Sequence, residues 1–305
     1  MKENKICDNR FSFGISLNID LDDYKKIIDD YNGYINNVYF SLPLGDEFHT
    51  RKGVIEEYSQ KNAMEKLKNI LILFKENNIG LEAVLNQYDI QKYKIIEALE
   101  YVKNIPIDSM CVLDEYAETV RKYYPSIYLV SSFNNIKMNT QKKVYDQVVI
   151  GRKFLRDIDT IKEIKENGID IKFLLNNGCS FNCGTCRMGN KKCKECFERN
   201  LLKFSVEELF ALQSFFPFEI DILQSRIGND KYIKEFKISN RPCTYEYLKD
   251  CLDSYIYGQG KEEQYIQKSK MNYRLWGRLG HFNQYLEKMN INTIKKIKKE
   301  IWDML

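Results

Sequence analysis

The chain is poor in histidine, with only His49 and His281, and it has just five prolines. It contains no HExxH and no GxSxG. Conventional peptidase or hydrolase chemistry therefore has little support. A membrane span is also missing: no segment approaches the roughly 20 consecutive apolar residues that one needs. The opening "MKENKICDNRFSF" is charged and lacks the apolar stretch of a signal peptide. These absences predict a cytoplasmic protein with no membrane partner. Charge of one sign is lacking too. With 47 basic and 43 acidic residues, the net charge of +4 demands neither nucleic acid nor a membrane surface. The basic stretch Lys295, Lys296, Lys298 and Lys299, with Glu300 and Asp303 nearby, reads as the solvated face of a C-terminal helix.

What is present is a rhythm. Short apolar or β-branched runs alternate with amphipathic patterns. Strands are predicted at Phe11–Ile19, Tyr34–Leu42, Gly80–Asn86, Asp108–Tyr116, Pro125–Phe133, Tyr145–Gly151, Ile169–Asn177 and Ile233–Ser239. Between them lie helical patterns. One long helix is expected around Ile55–Asn77, and another at Ser205–Phe215, where Ser205 and Glu208 form a capping box. Eight βα units predict an α/β fold, a TIM (β/α)8-type barrel with a cysteine-rich loop after the seventh strand. A doubly wound open sheet is the alternative, but no glycine-rich phosphate loop follows the first strand. No linker divides the chain. Residues 1–260 read as the barrel domain, including a metal loop at 176–197. Residues 261–305 read as a C-terminal helical extension.

In such a barrel, function sits where strands end and helices begin. The polar residues predicted there are Asn18, Ser41, Asn86, Asp114, Glu115, Ser131, Ser132 and Lys237. Strand ends also meet water, so polarity alone does not make them functional. The segment Lys270–Tyr285, with Arg274, Trp276, Arg278 and Phe282, could cover the pocket or dock on the core as an amphipathic helix.

Cysteine is concentrated. Five of nine fall in "NNGCSFNCGTCRMGNKKCKEC", as Cys179-x3-Cys183-x2-Cys186-x6-Cys193-x2-Cys196. Thiolates are soft ligands for iron–sulfur clusters and for zinc. Zinc would take the two C-x2-C pairs as a closed tetrahedral site and leave Cys179 unused. A [4Fe–4S] cluster needs four thiolates. Cys179, Cys183 and Cys186 are the first three, Cys193 or Cys196 the fourth, with Cys243 in reserve. Cys7, Cys111 and Cys251 sit in terminal, strand or helix patterns and read as small apolar residues. The C-x3-C-x2-C spacing also resembles the cluster motif of radical S-adenosylmethionine enzymes. In those the motif follows the first barrel strand, whereas here most strands precede it.

The flanks carry a further resemblance. "FLLNNGCSFNCGTCR" follows a segment, Val148–Ile164, that pairs a β-branched run with an arginine and an isoleucine-bearing helix. "FKISNR" (Phe236–Arg241) and "DSYIYG" (Asp253–Gly258) come next. In this order they resemble peptidase family U-32, TIM-barrel iron–sulfur proteins, over roughly residues 80–260. Gly184 stands where members often have proline, and Asn240 where they have glycine. The Cys193/Cys196 pair is additional.

The resemblance implies redox chemistry at a cluster, an oxygen-independent hydroxylation-type modification rather than proteolysis. The substrate would be a small molecule, a nucleotide or a peptide, and a partner subunit of the same family is possible. Lys237 and Arg241 would hold an anionic substrate group, Arg through its bidentate fork. An ion pair closing the barrel is the competing reading of that pair. A barrel with a structural zinc knuckle that only binds a partner, and an atypical radical S-adenosylmethionine enzyme, are the alternatives.

Overall fold

The computed structural model describes residues 10–45, 52–87, 90–132, 144–151, 154, 156–175, 203–205, 207–208, 211, 215–227, 233–239, 243–258 and 290–305. Eight parallel strands close into a barrel in sequence order. They are β1 (Phe11–Gly14), β2 (Ile35–Ser41), β3 (Gly80–Leu85), β4 (Ser109–Val112), β5 (Tyr128–Ser131), β6 (Gln147–Ile150), β7 (Asp170–Leu174) and β8 (Ile233–Ile238). Closure is direct: β1 pairs with β8 through Phe11↔Phe236, Ser12↔Lys237 and Phe13↔Ile238. All eight predicted strands are present and the barrel is a TIM barrel. Each observed strand is shorter than its sequence pattern. The apolar run continues into the loop because these ends stay buried, as Ile15, Leu17 and Ile19 do beyond β1.

The helices are α1 (Leu21–Tyr31), α2 (Lys52–Tyr58), α3 (Ala63–Glu76), α4 (Lys92–Val102), α5 (Asp114–Tyr123), α6 (Ile158–Glu166), α7 (Pro217–Ile227), α8 (Tyr245–Tyr257) and α9 (Ile291–Met304). Local chemistry sets their ends. Asp157 accepts from Thr160 N at the start of α6, and Thr244 accepts from Tyr247 N at the start of α8. Gly258 ends α8 at φ 62°, the left-handed conformation glycine adopts without strain. The capping box forms as expected, with Ser205 N donating to Glu208 at 2.6 Å and Glu208 N to Ser205 Oγ at 3.1 Å.

One expectation needs correction here. The long helix around Ile55–Asn77 is two helices. Asn62 takes a left-handed φ of 68° and separates α2 from α3. Asp114 and Glu115 stand where β4 gives way to α5, as expected, and form the first turn of that helix, where carboxylates favour the positive end of the helix dipole.

The main core is the layer between barrel and helices. Phe13, Tyr24 and Phe74 stack and cross there with ring centroids 5.3 to 6.4 Å apart. Burying each such aliphatic or aromatic side chain is worth roughly 1.5–3 kcal/mol. That layer therefore dominates the stability of the fold. The described part of the C-terminal extension, α9, packs onto it through Ile294, Lys298 and Trp302. Lys298 is thus not on a solvated face. It is 0% exposed, while Lys296 and Lys299 are exposed as expected.

Candidate functional site

Strand side chains alternate between two faces, and in this barrel the inner face is layered. Tyr39, Val84, Cys111, Val130, Val149 and Leu174, one from each of β2 to β7, pack on one another apart from the main core. They form the apolar layer of the interior. Two residues earlier on the same strands stand Asn37, Glu82, Ser109, Tyr128, Gln147 and Lys172, a polar layer nearer the strand N-termini. Toward the C-terminal mouth, the next inward positions include Ser41, Ser132 and Gly151. They are small.

Four charges lie in this interior. Lys172 Nζ is 2.5 Å from Glu82 Oε2 and 2.8 Å from Glu235 Oε1. Lys237 Nζ is 2.8 Å from Glu82 Oε1. It also sits 3.9 Å above the centre of the Tyr39 ring, a cation–π contact. Tyr39 in turn donates to Ile238 O at 2.6 Å. Two carboxylates and two ammonium groups balance. Burial alone would raise the Glu82 carboxyl, but the Lys172 and Lys237 ammonium groups outweigh it and hold it at about 2. Burial works against the charged form of Lys172 as well, yet Glu235 and Glu82 hold it well above its ordinary value. Cys111 is pushed up to about 11, chiefly by burial, so its thiol stays protonated.

A second group joins three loops at the mouth. Ser16 Oγ hydrogen-bonds to the Glu57 carboxylate of α2 and receives Cys243 N at 3.1 Å. Tyr24 donates to Ser16 O at 3.0 Å and accepts from Ser16 N. The residues after β1, the helix after β2 and the turn after β8 are thereby fixed to one another.

The expected site residues are placed as follows. Lys237 is inside the barrel and held by Glu82, the ion pair that competed with a substrate role. Ser41, Ser131 and Ser132 are buried at the C-terminal ends of their strands, and Asn86 is half-buried. Asn18 is exposed and accepts from Gln60 at 3.4 Å. Cys243 is 9% exposed and part of the main core. Cys111 and Cys251 are buried free thiols, as read from the sequence. Cys179, Cys183, Cys186, Cys193, Cys196 and Arg241 lie outside the described residues, as do Cys7, His49, His281 and Lys270–Tyr285. Among the described residues, no group of three or more His, Cys, Asp or Glu could hold a metal ion. The cysteine segment, with five thiols in one stretch, lies outside those residues. None of the described helices is long and apolar enough to cross a membrane.

Glu82, Lys172, Glu235 and Tyr39 were not among the expected site residues. The signal was in the strands. A buried parallel strand reads as a nearly continuous apolar run, so Glu82 in "GLEAVL", Lys172 in "DIKFL" and the alternating pair Glu235 and Lys237 in "IKEFKI" mark the inner face.

No protein-family model matches the sequence, and no curated protein matches it significantly. The backbone is similar to solved structures. One is the U32 peptidase Mk0906, at 12% identity, covering 76% of this chain and 92% of that one, with a TM-score of 0.47. Another is a mutant tryptophan synthase α-subunit from Pyrococcus furiosus, at 12% identity, covering 88% and 98%, with a TM-score of 0.44. A third is a monomeric dihydrodipicolinate synthase variant, at 13% identity, covering 74% and 90%, with a TM-score of 0.38. At these identities and scores the likenesses carry no argument about family or activity. The fold rests on the strand order itself.

Proposed function

We propose that this chain is an iron–sulfur protein similar to peptidase family U-32, with its cluster at the C-terminal face of the barrel. The observation that carries this reading is where β7 ends. Leu174 closes the strand and Leu175 N donates to Lys237 O at 3.0 Å, beside the interior Lys237. Cys179 follows four residues later. Four residues of chain reach at most about 14 Å, which supports a cluster near the face on which TIM-barrel enzymes place their active sites.

Cys179, Cys183 and Cys186 are the proposed ligands, with Cys193 or Cys196 as the fourth. A bound [4Fe–4S] cluster would supply one-electron redox chemistry. The chain's own residues would provide the rest. Lys237, Glu82 and Tyr39 form a rigid floor whose charges cancel, so the barrel itself does not pull a charged group inward. Arg241, two residues past Ser239, is the candidate for holding an anionic substrate group. A small molecule, nucleotide or peptide substrate suits a modification of this kind. Proteolysis is disfavoured by the chain's two histidines and its lack of hydrolase motifs.

The test is the iron content of Cys179→Ala purified without oxygen. Loss of the cluster supports the reading. Full iron retention removes Cys179 as a ligand, and zinc at one per chain in the unaltered protein replaces the redox reading with a structural zinc knuckle.

A further inference from the structure

At the N-terminal end of the barrel interior, three buried polar atoms make no hydrogen bond among the described residues. They are Ser12 Oγ, Asn37 Oδ1 and Glu235 Oε1. They come from three strands in a row, β1, β2 and β8. Ser12 pairs with Asn37 on one side and with Lys237 on the other. Glu235 stands two residues before Lys237, on the same face. The ladder is irregular here: Phe11 pairs with Ile35 but Ser12 with Asn37, which leaves Asn36 without an opposite residue. Asn36 Nδ2 uses that freedom to donate to Glu235 Oε2 at 2.8 Å. The carboxylate thus reaches from β8 to β2. Ser12, on the strand between them, faces the same space.

Glu235 Oε1 is 2.8 Å from Lys172 Nζ, a contact that leaves the oxygen with capacity for a further donor. Asn37 Nδ2 donates to Ser109 Oγ at 3.4 Å, which assigns the outward turn of its amide and leaves Oδ1 as an acceptor. The three atoms therefore offer two acceptors and one hydroxyl donor. The complement of that set is one molecule with two donors and one acceptor, and water has both. A cation is a poorer match. Glu82 and Glu235 are already balanced by Lys172 and Lys237, so no excess negative charge draws one in. Leaving a buried polar atom unpaired costs more than an ordinary hydrogen bond returns, and such sites are where internal water is retained.

We propose that Ser12, Asn37 and Glu235 bind one internal water, which anchors the N-terminal end of the charge chain. The water holds Glu235 against Lys172. Lys172 holds Glu82, and Glu82 holds Lys237 beside the Tyr39 ring. Water in this position is a structural ligand of the barrel.

The test is a crystal structure of the full chain at a resolution that shows ordered water. One peak within about 3.2 Å of all three atoms is expected. No peak overturns the proposal. So do contacts of about 2.4 Å, which belong to a metal ion. A second measurement does not need crystals. Ser12→Ala and Asn37→Leu each remove one partner of the same water, so the double variant's drop in urea midpoint is expected to be smaller than the sum of the two single drops. Additive drops would mean that the two side chains share nothing.

Discussion

Lys298 of the C-terminal helix α9 places its Nζ 2.8 Å from Glu219 Oε2, and both side chains are fully buried. Glu219 is the hub of this junction. It also receives Arg156 at 2.6 Å, Trp302 Nε1 at 2.9 Å and Phe216 N at 2.7 Å. One carboxylate thus serves two cations. Burial raises Glu219, but Arg156 and Lys298 outweigh it and hold its carboxyl below its ordinary value. Lys298 is the weaker partner. Burial, helped by the Arg156 charge, brings its ammonium down to about 7 despite Glu219.

Glu219→Ala removes the carboxylate that both buried cations share and that accepts from Trp302 and Phe216. A loss of about 3–5 kcal/mol is expected from breaking a buried pair on one side. Lys298→Met leaves Glu219 paired with Arg156 and replaces an ammonium by an apolar chain of similar length. It is expected to cost less than about 1 kcal/mol. Urea unfolding of the two variants checks the asymmetry.

The same lysine gives a pH dependence. Its folded value, about 7, lies below its ordinary 10.5. Between these values the unfolded chain binds more protons, so stability rises with pH across that window. Unfolding midpoints measured from pH 7 to 9 are expected to climb in the unaltered protein and to stay flatter in Lys298→Met. Parallel profiles would remove Lys298 as the source.

Glu82 gives a dependence of the same sign in a more acidic window. Its folded value of about 2 lies below the ordinary 4.5, so its contribution is complete above pH 4.5 and is lost as pH falls toward 2. Glu82→Gln is expected to weaken the barrel by several kcal/mol at neutral pH, because Lys172 and Lys237 lose their shared partner. The variant should also lose less of its remaining stability between pH 4.5 and 2 than the parent does. Acid unfolding curves of both proteins decide this.

Cys111 is buried, and its thiol is held up to about 11. It is expected to resist alkylation at pH 8 in the folded protein and to react once urea unfolds it. Peptide mass mapping after timed alkylation reads this directly. Fast modification in the folded state would contradict the closed apolar layer around Tyr39, Val84 and Leu174.

Much of this barrel is legible in the sequence, because parallel strands buried on both faces are apolar almost throughout. The positions of all eight strands follow from runs such as "YINNVYFSL" and "GLEAVLN". What the runs do not reveal is which face is which, since both are buried. Only the charges at Glu82, Lys172, Glu235 and Lys237 mark the interior, and they read as noise until the strands are closed. The break at Asn62 is marked in the sequence only by four consecutive polar residues, Ser59 to Asn62, between Tyr58 and Ala63. Lys298 was misread from its neighbours. Its spacing of four from both Ile294 and Trp302 puts it on the buried stripe, a signal that the surrounding lysines obscured. In the cysteine segment the sequence offers five soft donors close together, but spacing alone does not choose among them.

Metal and acid-labile sulfide analysis of the full chain, purified without oxygen and read with its visible spectrum, tests the central claim most directly. The account predicts about four irons and matching sulfide per chain with a broad brown absorption, both lost in Cys179→Ala. Stoichiometric zinc without iron, persisting after anaerobic reconstitution with iron and sulfide, would contradict it.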